Sequence, residues 1–185
     1  MRGTAAAAGA GVSAGGGAAA AAGSSTGAST RGGGAGTSSG GPAAAVLACA
    51  WAQPEAAANH VRVEVDFPVT VPAVNGDAAM LRQAFLNLAI NACQAMPNGG
   101  TLRLSAASAA RDQVEVKFED TGVGIPADHL SKIFDLYFTT KDHGTGIGLS
   151  MVYRIIQLHD GEVEVQSTPG RGTTFRVLLP RANEI

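Results

Sequence analysis

Three short segments of this 185-residue chain hold residue types whose spacing could do chemistry. In LRQAFLNLAINACQAM, Asn87 and Asn91 stand four residues apart, so on a helix both amides leave from one face, beside apolar neighbours. Asn is a poor mid-helix residue, and two on one stripe need a reason. An Asn carbonyl oxygen is a hard, neutral ligand suited to Mg²⁺, an ion that usually keeps waters and substrate phosphates as its other ligands. The same pair would equally serve to satisfy buried backbone groups. In the second segment, Glu119 to Ile125, Asp120 ends a strand-like run and begins D-x-G-x-G. Its carboxylate could accept a hydrogen bond from an adenine amino group, while Gly122 and Gly124 let the backbone turn closely against the base. Alone, that pattern is also an ordinary turn. The third, Gly144-Thr145-Gly146-Ile147-Gly148-Leu149, opens directly into SMVYRIIQL. Exposed amides and a helix N-terminus together suit a phosphate chain. It lacks the Lys-Ser/Thr of a P-loop and the preceding strand of a Rossmann fingerprint, and a flexible hinge is the alternative.

The elements that must position these residues follow from periodicity. Residues 43–59 are helix-prone, with Pro54 placed to end one short helix and begin another. VRVEVDF, from Val61, alternates as a half-buried strand does, and a second short strand is expected near Val69 to Val74. Asp77 caps a long helix in which Met80, Leu81, Phe85, Leu88 and Cys93 recur at helical spacing until Pro97-Asn98-Gly99-Gly100 stops it. Two alternating strands, TLRLSAAS and QVEVKFED, meet at a turn around Ala110 to Asp112. A short helix is expected near Asp128 to Phe134, and a longer one from about Ile147 to Leu158. A closing hairpin, EVEVQS and TTFRVLLP, turns at Thr168-Pro169-Gly170-Arg171. This order predicts an α+β two-layer sandwich, a mixed sheet with its helices on one face.

Composition bounds the rest. Residues 1–42 are nearly all Ala, Gly, Ser and Thr, with Val12 the only branched aliphatic side chain. Such a tail cannot bury enough apolar surface to offset its ordering entropy, so disorder is expected; translation of GC-rich DNA upstream of a true start would give the same bias. It is too weakly hydrophobic for a signal peptide or membrane span. A soluble, cytoplasmic, monomeric chain is the expectation, with a helical stump or linker over 43–60, one domain over 61–180 and a short tail over 181–185. A net charge of −2 and a pI near 6.0 offer nucleic acid or an anionic membrane no attraction. Cys49 and Cys93 lack metal-ligand spacing and read as reduced, buried thiols.

Taken in order, the motifs resemble those of sensor histidine kinases. Asn87 and Asn91 resemble the N box, DTGVGI the first glycine box, IFDLYFTTK the F box, and GTGIGLSMV the second glycine box. GRGTTFRVLLP is similar to the family's last strand, and the short TTK-x-x-GTGxGL stretch is most similar to the nitrogen-regulation type. Over about Ala52 to Pro180 the resemblance implies the Bergerat ATP-binding fold of the GHKL superfamily. It implies that Asp120 holds adenine, with Thr173 approaching it through water. Asn91 would bind Mg²⁺ with Asn87 assisting as the catalytic pair. Residues 134–148 would form an ATP lid in which Thr140 and Lys141 join Gly144, Thr145, Gly146, Ile147 and Gly148 at the nucleotide, with Leu149 just beyond it, while Gly122, Gly124 and Ile125 flank the base. The Pro usual in the F box is Leu136 here, which puts lid packing in question.

One position separates kinase from ATPase. GHKL ATPases resemble one another in a Glu four residues before the Mg²⁺-binding Asn, as a rule shared by the anti-sigma serine kinases; here that position is Asn87, which cannot act as a general base. Transfer to histidine needs mainly positioning and neutralised phosphates. The resemblance therefore implies a phosphotransferase whose partners are a His-containing dimerisation domain and, downstream, a response regulator. None of His60, His129, His143 or His159 is followed by Glu, as the family's acceptor is, so the acceptor is expected on another chain or a missing segment. A GHKL ATPase or serine kinase, and a nucleotide-binding module without catalysis, are the alternatives.

Overall fold

The computed structural model describes residues 52–68, 71–110, 112–141 and 144–182, all within one compact unit. The expected disorder of 1–42, the helix-prone stretch 43–51 with Cys49, His143 and the last residues of the 181–185 tail lie outside the described residues. Among the described residues nine elements follow in order: α1 (Gln53–Ala58), β1 (Val61–Asp66), α2 (Ala78–Gln94), β2 (Gly100–Ala109), β3 (Gln113–Asp120), α3 (Ala127–Leu130), α4 (Gly148–Leu158), β4 (Glu162–Thr168) and β5 (Gly172–Pro180).

The strands form a five-stranded sheet in the order β1-β2-β3-β5-β4. β1 runs parallel to β2, and the remaining pairs are antiparallel. The sheet is therefore mixed, as expected. Directly paired residues share a face, so Leu104, Phe118, Phe175 and Val165 form one row, and Ala106, Val116, Val177 and Val163 the next. These rows pack against Leu81, Phe85, Leu88 and Cys93 of α2 and Val152, Ile155 and Ile156 of α4 in one hydrophobic core. Phe85 and Phe118 meet with ring centroids 5.7 Å apart, a favourable tilted contact. On the other face Arg176 bridges Glu115 and Glu164 while Lys117 reaches Glu115. Alternating strands thus put apolar residues inward and paired charges outward.

The long helix begins as its sequence dictates: the Asp77 carboxylate accepts from the amides of Ala79 and Met80, at 2.8 and 3.1 Å. Burial of Cys93 pushes its thiol up to about 11, which leaves a free, inert side chain. Three expectations change. The second strand near 69–74 reduces among the described residues to a single bridge, Val74 to Arg181 just beyond β5, with 69 and 70 outside the described residues. The helix expected to reach Phe134 stops at Leu130; turns follow, since Ile133 goes into the core while Asp135, Leu136 and Tyr137 stay exposed. The last hairpin continues pairing through Thr168 with Gly172, leaving Pro169 to Arg171 as its loop rather than four residues.

His159 closes α4 and also holds α2. Its Nδ1 donates to the Ile155 carbonyl at 2.7 Å, which leaves Nε2 to accept from the Asp77 amide at 2.9 Å. Both ring nitrogens are therefore used in the neutral form. His159→Ala removes both bonds and orphans a helix-terminal amide. It is expected to lower stability by about 1–2 kcal/mol, seen as a lower urea midpoint with unchanged slope. An unchanged midpoint would show that the clasp contributes nothing.

Candidate functional site

The site grows from the end of the central strands. Below the core rows, the same face carries Leu102, Asp120, Thr173 and Ser167 as direct partners across β2, β3, β5 and β4. Alternation alone puts Asp120 indoors: Val114, Val116, Phe118 and Asp120 are the buried residues of β3. Asp120 is 8% exposed and Thr173 4%, the only buried polar side chains among the described residues. Asp120 Oδ1 accepts from the amides of Gly122 at 2.9 Å and Thr173 at 3.1 Å. No fully buried side-chain nitrogen or oxygen among the described residues lacks a partner, so the other oxygen, Oδ2, opens onto accessible space. Desolvation raises the carboxyl above its ordinary range, an effect partly opposed by those two amides.

The first glycine segment is pinned from both sides. Val123 donates to the Ala95 carbonyl at the end of α2, at 2.9 Å, and accepts from Gly170 in the closing hairpin, at 2.8 Å. A side chain on Gly122 would strike the Ala95 carbonyl. Gly124, at φ +72°, would meet the Thr168 carbonyl and sits where L side chains are strained. These glycines permit close approach of α2 and the hairpin, a structural demand that sequence spacing does not reveal. Ile125, half-buried, donates its amide to Ser167 Oγ at 2.7 Å.

On α2, Asn87 and Asn91 flank the buried stripe and face the start of α4. Asn87 Nδ2 lies 3.5 Å from the Gly148 carbonyl and 3.8 Å from Met151 Sδ, and Gln83 reaches Asn87 Oδ1 at 3.4 Å. A Cβ on Gly148 would stand 3.6 Å from Asn91 Nδ2. The second glycine segment therefore delivers the α4 N-terminus to the Asn pair, with Leu149 packed against the core.

The stretch between α3 and α4 is tied at named points. Tyr137 donates to the Gly146 carbonyl at 2.9 Å, and Phe134 stacks on Tyr153 of α4 at 5.5 Å. Lys141 crosses to α2, where its ammonium donates to Asn91 Oδ1 at 3.1 Å and Gln94 Oε1 at 2.6 Å. Although the residue as a whole is exposed, desolvation of the ammonium lowers its pKa, opposed by the charge of Glu55. Thr140, Thr145 and Ile147 are exposed, and Gly144 and Gly146 half-buried. Asn87 and Asn91 thus both stand beside Gly148, and Asn91 also holds Lys141, while Asp120, Gly122 and Thr173 form a second group at the sheet's end. Gln94 and Ser167 escaped the sequence reading. Gln94 continues the Asn87–Asn91 stripe three residues on and could have been found by helical spacing; Ser167 needed the hairpin register.

Residues 76–183 match the family model described as "Histidine kinase-, DNA gyrase B-, and HSP90-like ATPase". The chain belongs to this family. Among its relatives, the sensor kinase CckA of Brucella abortus is 44% identical over 140 residues, covering 67% of this chain and 15% of CckA. Sporulation kinase E of Bacillus subtilis is 34% identical over 126 residues, 68% of this chain and 17% of that kinase. The chain thus spans under a fifth of the length of these relatives. Among solved structures, full-length ShkA in complex with AMPPNP aligns with a TM-score of 0.70 at 27% identity, covering 77% of this chain and 30% of ShkA. The mycobacterial sensor histidine kinase MprB aligns at 0.67 over 77% of this chain and 95% of that one; at 24% identity this likeness speaks for the fold. The histidine-kinase-like ATPase domain here is of the ATP-binding catalytic type found in sensor histidine kinases. Among the described residues, no helix of this domain is long and apolar enough to cross a membrane.

Lys141→Met removes the tie between the α3–α4 stretch and α2 in this ATPase domain. Amides around Thr139 and Gly144 are then expected to exchange with deuterium faster, while those of α2 keep their rates. Equal rates in both proteins would mean that the contact holds nothing in place.

Proposed function

We propose that residues 61–180 bind Mg²⁺·ATP and transfer its γ-phosphate to a histidine on a dimerisation domain, on another chain or elsewhere in a longer protein. The observation that supports this reading best is the placing of Asp120 Oδ2, the Asn91 amide and the α4 N-terminus around one side of the sheet. On this reading Asp120 accepts from the adenine amine, Gly122, Gly124 and Ile125 line the base, and Gly144 to Leu149 cradle the phosphates. Thr173 acts beside Asp120, and Thr140 and Lys141 belong to the covering lid.

Asn91 Oδ1 and Gln94 Oε1 gather around a positive charge, the Lys141 ammonium, so the donor set suits a cation. Asn91 is the residue proposed to hold Mg²⁺, which when bound would neutralise charge on the phosphates. Asn87 braces the pair through Gly148 and Met151 rather than serving as a base. That favours phosphotransfer over the ATPase alternative, in which a carboxylate would have to activate water. A cytoplasmic location and a response regulator downstream belong to the same proposal, as does the nitrogen-regulation subtype suggested by the short lid.

Calorimetric titration of ATP with and without Mg²⁺ tests the reading. Asp120→Asn keeps an oxygen for Gly122 and Thr173 but can turn an amide donor toward the base, so affinity should fall about tenfold or more. The variant should be at least as stable as the wild type at pH 7. The sign follows from the raised pKa: the folded form prefers the protonated carboxyl, so that contribution is present at low pH and lost as pH rises through the folded pKa. ATP affinity of the wild type should conversely weaken as acid protonates Asp120. Undiminished ATP binding by both Asp120→Asn and Asn91→Ala would sink the assignment.

Two of the described histidines make poor acceptors: His159 uses both ring nitrogens and His129 packs edge-on against Phe138 at 5.5 Å. With γ-labelled ATP, the chain alone should take up no acid-labile phosphate, and a supplied histidine domain should. Steady phosphate release without such transfer would favour the ATPase reading.

A further inference from the structure

Ser167 sits beside Thr173 at the end of the β4–β5 pairing, in the same row as Asp120. Its hydroxyl has three polar neighbours: the Ile125 amide at 2.7 Å, the Gly172 carbonyl at 3.0 Å and Thr173 Oγ1 at 2.9 Å. A serine hydroxyl owns one proton and two lone pairs. The Ile125 amide can only donate, so it takes one lone pair. The Gly172 carbonyl can only accept, so it takes the proton. What remains for Thr173 is the second lone pair, and the Thr173 proton must point to Ser167. Counting protons in this way leaves the Thr173 hydroxyl with lone pairs alone for anything else that approaches it. Asp120 Oδ2 beside it is likewise an acceptor.

From this geometry we infer that Ser167 is a positioning residue for nucleobase selectivity. By holding the Thr173 proton, it makes the whole Asp120–Thr173 end of the site an acceptor surface. A purine bearing a 6-amino group supplies donors to that surface; a 6-oxo purine brings a carbonyl oxygen to which neither side chain can donate. The inference rests on the proposed reading that Asp120 and Thr173 face the base, with the Thr173 hydroxyl meeting it directly rather than through a water, and it names the residue that sets the sign of their recognition.

In the full chain, dissociation constants for ATP and inosine triphosphate are measured for the wild type, Ser167→Ala, Thr173→Val and the double variant. The wild type should prefer ATP. Ser167→Ala frees the Thr173 proton to meet a carbonyl, and the ATP-to-inosine preference should narrow about fivefold. Since Ser167 acts through Thr173, adding Ser167→Ala to Thr173→Val should change the preference no further. A merely structural role, loosening the Ile125 loop, would weaken both nucleotides together and leave their ratio fixed, and that result overturns the inference. So does a Ser167 effect that persists undiminished without the Thr173 hydroxyl. Wild-type ATP binding lost in Asp120→Asn, with a ratio indifferent to Ser167, overturns this inference alone; absence of ATP binding by the wild type overturns it together with the reading beneath it.

Discussion

A carboxylate on the helix-covered face of the sheet constrains everything near it. Burying a charge is costly unless hydrogen bonds replace its water, and Asp120 receives them from the amides of Gly122 and Thr173 on a single oxygen. Both donors are backbone, so their supply depends on how the chain leaves β3 and enters β5. Gly122 must pass against the Ala95 carbonyl, and Gly172 stands where any side chain would strike the Asp120 carbonyl. The glycines around the site therefore serve a packed arrangement of main chain as well as a ligand. Among the described residues no cation pairs with Asp120, and its open oxygen is left to accept a donor from whatever enters.

On the flank of the last turns of α2 the constraint reverses. Asn91 and Gln94 offer neutral oxygens, and a lysine ammonium from the α3–α4 stretch rests on them. Acceptors of this kind take a tethered ammonium or a divalent ion by the same physics, one at the expense of the other. Phosphates arriving with their own cation would offer Lys141 a better partner than two amides. The stretch that carries it is otherwise joined through Tyr137, Gly146 and the Phe134–Tyr153 contact, with Leu136 and Tyr137 exposed. Few buried groups hold it, as suits a segment that must yield.

Much of the scaffold is legible in the residues. Period-two alternation marks β2, β3 and β5; a capping Asp and a helical apolar stripe mark α2, and their types put Asn87 and Asn91 on one flank of it. The short helix after Pro126 was overestimated because Ile133 and Phe134 continue an apolar pattern that packing uses in turns. The parallel pairing of β1 with β2 has no local signature, since it joins segments separated by the whole of α2.

By itself, the sequence determined which residues could do chemistry and on which element each stands, because side-chain type, capping and periodicity are local properties. Tertiary structure decided who meets whom. Pairing that runs through Thr168 instead of stopping before it sets which face Ser167 shares, since a one-residue slip in a strand reverses every side chain. That register lines up Ser167 with Thr173, and the pairing of β5 with β3, a strand distant in the chain, adds Asp120. The cation on Asn91 likewise comes from Lys141, fifty residues on, and only the folded path of the α3–α4 stretch brings it there.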